Sequence, residues 1–157
     1  MNTDEHWMRL AIETCRQGIE AGQSPFGAVI VKGDHLVVAT HNVVFRTTDS
    51  TAHAEVNAIR QACQKLQTIE LNGCRIYSTT EPCPMCFAAC HWAKLERIVF
   101  GTSIPDANEL GFSELSISNE QMKDLGRSPI QVHRGLLRDE ALELFGLWKR
   151  TTTHKPY

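Results

Sequence analysis

Apolar residues at Trp7, Met8, Ala11, Ile12, Cys15 and Ile19 recur at helical spacing, with acids ahead of them and Gly22 behind. Residues 3 to 21 therefore predict a helix, with Asn2 or Thr3 as its cap. The β-branched runs Gly27 to Lys32 and Leu36 to His41, joined by Gly33-Asp34, predict a hairpin. The polar stretch Arg46 to Thr51 reads as loop. Val56, Ile59, Cys63 and Leu66 return to helical spacing, so a second helix is expected from about Ala52 to Leu66, with His53 and Glu55 in its first turn. After Asn72-Gly73, Cys74 to Ser78 reads as a strand, and Pro84 opens a helix to Lys94. A strand at Arg97 to Gly101, a short turn at Asp106 to Leu110 and a helix at Asn119 to Leu125 follow. Ile130 to His133 reads as the last strand, and Arg138 to Lys149 as the last helix.

Strands alternating with helices of this length imply a sheet covered on both faces. The expected fold is α/β, a three-layer α/β/α sandwich on an approximately five-stranded mixed sheet with a hairpin at one edge. The chain has 157 residues, 42% hydrophobic and 22% charged, which fits one domain over 1–157 and excludes disorder, collagen and coiled coil. No apolar run approaches the roughly 20 residues of a membrane span, and the acidic MNTDEHWMRL start lacks a secretory pattern. A soluble, cytoplasmic protein is expected. Sixteen Lys and Arg against eighteen Asp and Glu give a net charge of -2, which advertises no grip on phosphate backbones or lipid.

Candidate chemistry enters with the cysteines. Cys15, Cys63, Cys74 and Cys90 are scattered in apolar context and read as buried small side chains, whereas Cys83 and Cys86 form a C-x-x-C. His53 stands at the start of one expected helix, the two cysteines at the start of another. Neighbouring α/β units would bring these helix starts together. One imidazole and two thiolates suit Zn2+ and leave a fourth, open position for water, the arrangement of a catalytic site. A fourth sulfur from Cys90 would close it. Glu55, two residues beyond His53, is placed to take a proton from that water and pass it to a substrate nitrogen.

The spacing H-x-E followed by P-C-x-x-C is the pattern of zinc nucleobase deaminases. With PFGAVIV at 25–31, HN at 41–42, TAHAEVNAIR at 51–60 and EPCPMC at 81–86, the chain resembles the cytidine-deaminase-like superfamily. Within it, the branch of bacterial guanine deaminases, plant guanosine deaminases and tRNA adenosine deaminases is the most similar. The resemblance implies zinc on His53, Cys83 and Cys86, catalysis by Glu55, and a homodimer. It further implies that Phe26 packs on a purine ring and that Asn42 hydrogen-bonds the base. Ala54 joins the substrate contacts, and the backbone at Ala52 and Glu81 flanks the site. Trp92 is expected at the pocket wall, in the core or at a subunit interface.

Two departures bear on the substrate. Where guanine deaminases carry an aspartate pair after Gly-Phe, this chain has Ser113-Glu114, so a carboxylate is retained one methylene longer. It would accept hydrogen bonds from guanine's ring N–H and exocyclic amine. Val132 to Leu144 is more like the end of the tRNA deaminases. Deamination of a free purine base, guanine first, is the leading expectation. A tRNA adenosine remains the alternative, helped by Lys149, Arg150, His154 and Lys155, and guanosine or cytosine stay open. A structural zinc module is disfavoured because Glu55 would have no duty in one. The guanine enzymes also end in tyrosine, so residues 151–157 are expected to form a lid, with Tyr157 lining the site.

Overall fold

Thr3 opens the first helix, α1 (Asp4–Glu20), by accepting a hydrogen bond from the His6 amide, with Asp4 and Glu5 complementing the positive helix end. The computed structural model describes residues 3–157, so the alternative cap Asn2 lies outside the described residues. Strands β1 (Gly27–Lys32) and β2 (His35–His41) form the expected hairpin, with a bulge between Ile30 and Val31. The expected loop after it contains a one-turn helix, α2 (Val44–Thr47). Asn42 Oδ1 accepts from the Val44 amide at 3.0 Å and starts that turn.

Helix α3 (Ala54–Leu66) begins later than the pattern indicated, because His53 is extended and occupies the cap position. Strand β3 (Cys74–Thr80) runs two residues further than expected. Helix α4 (Pro84–Trp92) stops earlier, where Lys94 turns into the left-handed region. Strand β4 (Arg97–Thr102), α5 (Ile104–Leu110), α6 (Asn119–Gly126), β5 (Gln131–His133) and α7 (Arg138–Thr151) complete the order. Ser103 and Ser118 each close a capping box, which explains why α5 and α6 form despite being short.

The five strands run in the order β2-β1-β3-β4-β5. β1 is antiparallel to both neighbours, and β3, β4 and β5 are mutually parallel. Alternation along β1 divides the core: Ala28 and Ile30 face Ala58, Phe87 and Cys90 of α3 and α4, while Val29 and Val31 face Trp7, Met8 and Trp148 of α1 and α7. The sheet is thus covered on both faces, as expected. Two antiparallel steps give β2 the direction of β3, so the carboxyl ends of β2, β3 and β4 share one edge. The starts of α3, α4 and α5 gather there. Among the described residues no helix is long and apolar enough to cross a membrane.

Candidate active site

At this edge the extended backbone of His53 and of Cys83 lets each act as the cap residue of its helix, and Cys86 follows one turn inside α4. Pro84, at the first helical position, holds the second start in shape without needing an N–H partner. His53 Nδ1 lies 3.7 Å from Cys83 Sγ and 3.5 Å from Cys86 Sγ. Tetrahedral zinc with ordinary Zn–N and Zn–S bond lengths requires N···S separations of about 3.6 Å. The donor set and its spacing therefore fit zinc, and three ligands would leave one tetrahedral position open. Cys90 is fully buried in the core and does not join the set.

The titration behaviour of the triad follows from this crowding. The bond from Cys86 and the bond and charge of His53 outweigh burial and hold the Cys83 thiol down at about 4. That same bond to Cys83, together with burial, pushes Cys86 well up. Burial lowers His53, but the Cys83 partner and the Glu55 charge more than reverse it, so the imidazole is raised. Glu55 is 5% exposed, and burial raises its carboxyl, opposed by His53 and by the Ser78 hydroxyl, 3.0 Å from Oε1.

These groups open into a cavity of about 250 Å³. That is smaller than the roughly 300–1,000 Å³ of sites for drug-sized ligands. Phe26 lines it, packed edge-on against Phe112 at 5.0 Å. Glu114 lines it too, tied through its backbone amide to Asn108 Oδ1 at 2.9 Å. Its Oε2 is buried without a partner, and burial, with the Cys83 and Glu55 charges, pushes the carboxyl up to about 8. A divalent cation among the three ligands acts in the opposite direction.

Tyr157 reaches the same cavity from the end of the chain. Its hydroxyl lies 3.0 Å from Asn42 Nδ2 and 3.2 Å from Ser24 Oγ, and its carbonyl accepts from the Ser113 amide at 2.8 Å. Its ring meets Phe45 and Phe112 edge-on, and His154 stacks on Phe45 at 3.8 Å. Gly111 turns the chain here at φ 114, where a Cβ would press on Pro156 at 3.0 Å.

Three of the expected residues do not line this cavity, and for Trp92 the subunit-interface alternative stays open. Trp92 is 81% exposed and outside the cavity, because six residues of helix carry it about 9 Å along α4 from Cys86. Ala54 is wholly buried in the core, with its carbonyl taken by Thr40. Asn42 is buried one layer behind the wall, its oxygen serving Val44 and its amide facing Tyr157. The pattern reading missed Ser50, Met85 and Leu115, which line the cavity, and Phe45, which seats the tail. Nothing local to those residues marks them.

The fold and this metal centre define a class. Residues 1–102 match the family of the cytidine and deoxycytidylate deaminase zinc-binding region, and the chain belongs to it. It is a zinc-binding hydrolase that deaminates. Among individual proteins it is 36% identical to the guanine deaminase of Bacillus subtilis (strain 168), over 98% of both chains. It is 34% identical to the tRNA-specific adenosine deaminase of the same organism, over 89% of this chain and 84% of that one. The crystal structure of NE0047 in complex with 2,6-diaminopurine superposes with a TM-score of 0.90 at 30% identity, covering 100% of this chain and 86% of that one.

Proposed function

We propose that the protein converts guanine and water to xanthine and ammonia. The observation that carries this reading is Glu114: a half-buried side chain whose buried Oε2 has no partner, lining the small cavity that His53 and Glu55 also line. A buried hydrogen-bonding group selects ligands that satisfy it, and guanine offers a ring N–H beside the amine that leaves. The similarity to a guanine deaminase along the whole chain, and the diaminopurine complex of a structural relative, support a purine.

Zinc, when held by His53, Cys83 and Cys86, supplies the Lewis acidity that makes water a nucleophile at neutral pH. Glu55 accepts the proton of the attacking water and delivers it to the ring nitrogen next to the attacked carbon. It then carries the hydroxyl proton to the departing amine, so that C–O forms, C–N breaks and no net proton is consumed. Phe26 and Phe112 flank the ring, and Tyr157 covers the cavity as a lid that excludes water. Asn42 anchors that lid from behind the wall, through its amide on the Tyr157 hydroxyl.

The test is ammonia release from guanine, guanosine, cytosine and an adenosine-bearing tRNA anticodon stem-loop. Guanine is expected to be the best substrate, and Glu114→Ala to lower its kcat/KM by tenfold or more, about the 1 to 3 kcal/mol of a buried partner lost. Faster turnover of the tRNA stem-loop would replace this reading with RNA deamination.

A further inference from the structure

One carboxylate holds both ends of the wall that carries Glu114. Glu81, 6% exposed, accepts from the Ile104 amide at Oε2 (3.0 Å) and from the Asn119 amide at Oε1 (2.9 Å). Ile104 is the first residue of α5 and Asn119 the first of α6. Phe112, Glu114 and Leu115, which line the cavity, lie between them. Asn119 also donates from Nδ2 to the Pro82 carbonyl at 2.6 Å, and the Glu81 amide donates to Thr102 at 2.7 Å.

These bonds are not needed to start the two helices. Ser103 and Ser118 already cap them through complete capping boxes. What the Glu81 bonds add is placement: they tie residues 104 and 119 to the loop that carries Cys83. Each amide takes its own carboxylate oxygen, so a group with acceptors at both positions and no donor suits the pair.

We propose that Glu81 is a positioning residue for deamination, clamping both ends of the 104–119 wall so that Glu114 stands at its working distance from the metal centre. The proposal rests on the reading of Glu114 as the group that binds the base. Glu81→Gln keeps one acceptor and turns an amide NH2 toward the other backbone N–H.

The variant should retain about one zinc per chain. Its amide hydrogen exchange should quicken within 104–119 while β1, β3 and β4 stay protected. Its kcat/KM on guanine should fall about tenfold, the scale of one charge-assisted bond. In a Glu114→Ala background the same change should add little, because both act through one wall. If Glu81→Gln does not fold with zinc, Asn119→Pro removes the second backbone donor at a helix position that tolerates proline, with Asn119→Ala as its side-chain control. Asn119→Pro should then show the faster exchange and the activity loss beyond those of the control.

Unchanged exchange in 104–119, exchange quickened across the whole sheet, or unchanged activity each overturns the clamp. So does full additivity where Glu114→Ala is itself costly. If Glu114→Ala costs nothing, the base-binding reading fails by itself, and the clamp is judged by exchange and by the Glu81→Gln rate.

Discussion

Glu55 and Cys83 line the same cavity, and their replacement separates chemistry from architecture. Glu55→Ala removes a carboxyl that no zinc ligand needs, so metal content and melting temperature should hold. Turnover should fall by the ~10² to 10⁴ that a positioned acid-base group contributes. Metal analysis beside steady-state kinetics checks both halves, and near-wild-type turnover would move the proton transfer to another group. Cys83→Ala should instead lose zinc and melt lower, because it leaves His53 and Cys86 with too few partners to hold the ion. At this scale the metal ligands were legible from residue type and spacing alone, since a helix cap is a local event. Trp92 was not: which way a residue at the end of α4 faces depends on the sheet that the helix packs on.

Helix α5 shows how elements hold the wall in place. Burial pushes the Asp106 carboxyl up, but bonds from the Ser103 amide and hydroxyl and from Arg138 outweigh this and hold it below the usual range. A carboxyl depressed in the folded state stabilises the protein above its unfolded pKa, and that contribution fades as pH falls through the folded value. Asp106→Asn should therefore cost about 1 kcal/mol at neutral pH, with the difference shrinking below about pH 4. Denaturant melts at the two pH values check it; a pH-independent cost would mean that lost packing dominates. The short helices were harder to read than the long ones, because α1 repeats its apolar pattern over several turns, while α2 depends on one Asn42 side chain that a periodicity search does not see.

For the molecule as a whole, the tail ties the C-terminal end of the chain to the site. Tyr157 meets Ser24, Asn42, Phe45, Phe112 and Ser113, all far away in sequence. Residues 152–157 follow the last helix and contribute little to either core cluster. Deleting them should lower kcat/KM on guanine strongly and shift the melting temperature little, as expected of a cover that excludes water. A truncated protein as active as the full chain would reduce Tyr157 to a surface contact and restore weight to a larger, RNA-borne substrate.

The alternation of strands and helices, the three-layer sandwich and the His53, Cys83, Cys86 cluster were all determined by the sequence, because spacing, capping and metal-ligand chemistry act over a few residues or through residue type. Only the tertiary structure decided that Asn42 would face Tyr157, 115 positions away, that Glu81 would hold Asn119, 38 positions away, and that Trp92 would stand outside. Those outcomes rest on the strand order β2-β1-β3-β4-β5, which sets the carboxyl ends of three strands at one edge. A side chain meets distant partners only after the sheet has paired, and no local pattern encodes which partners the pairing delivers.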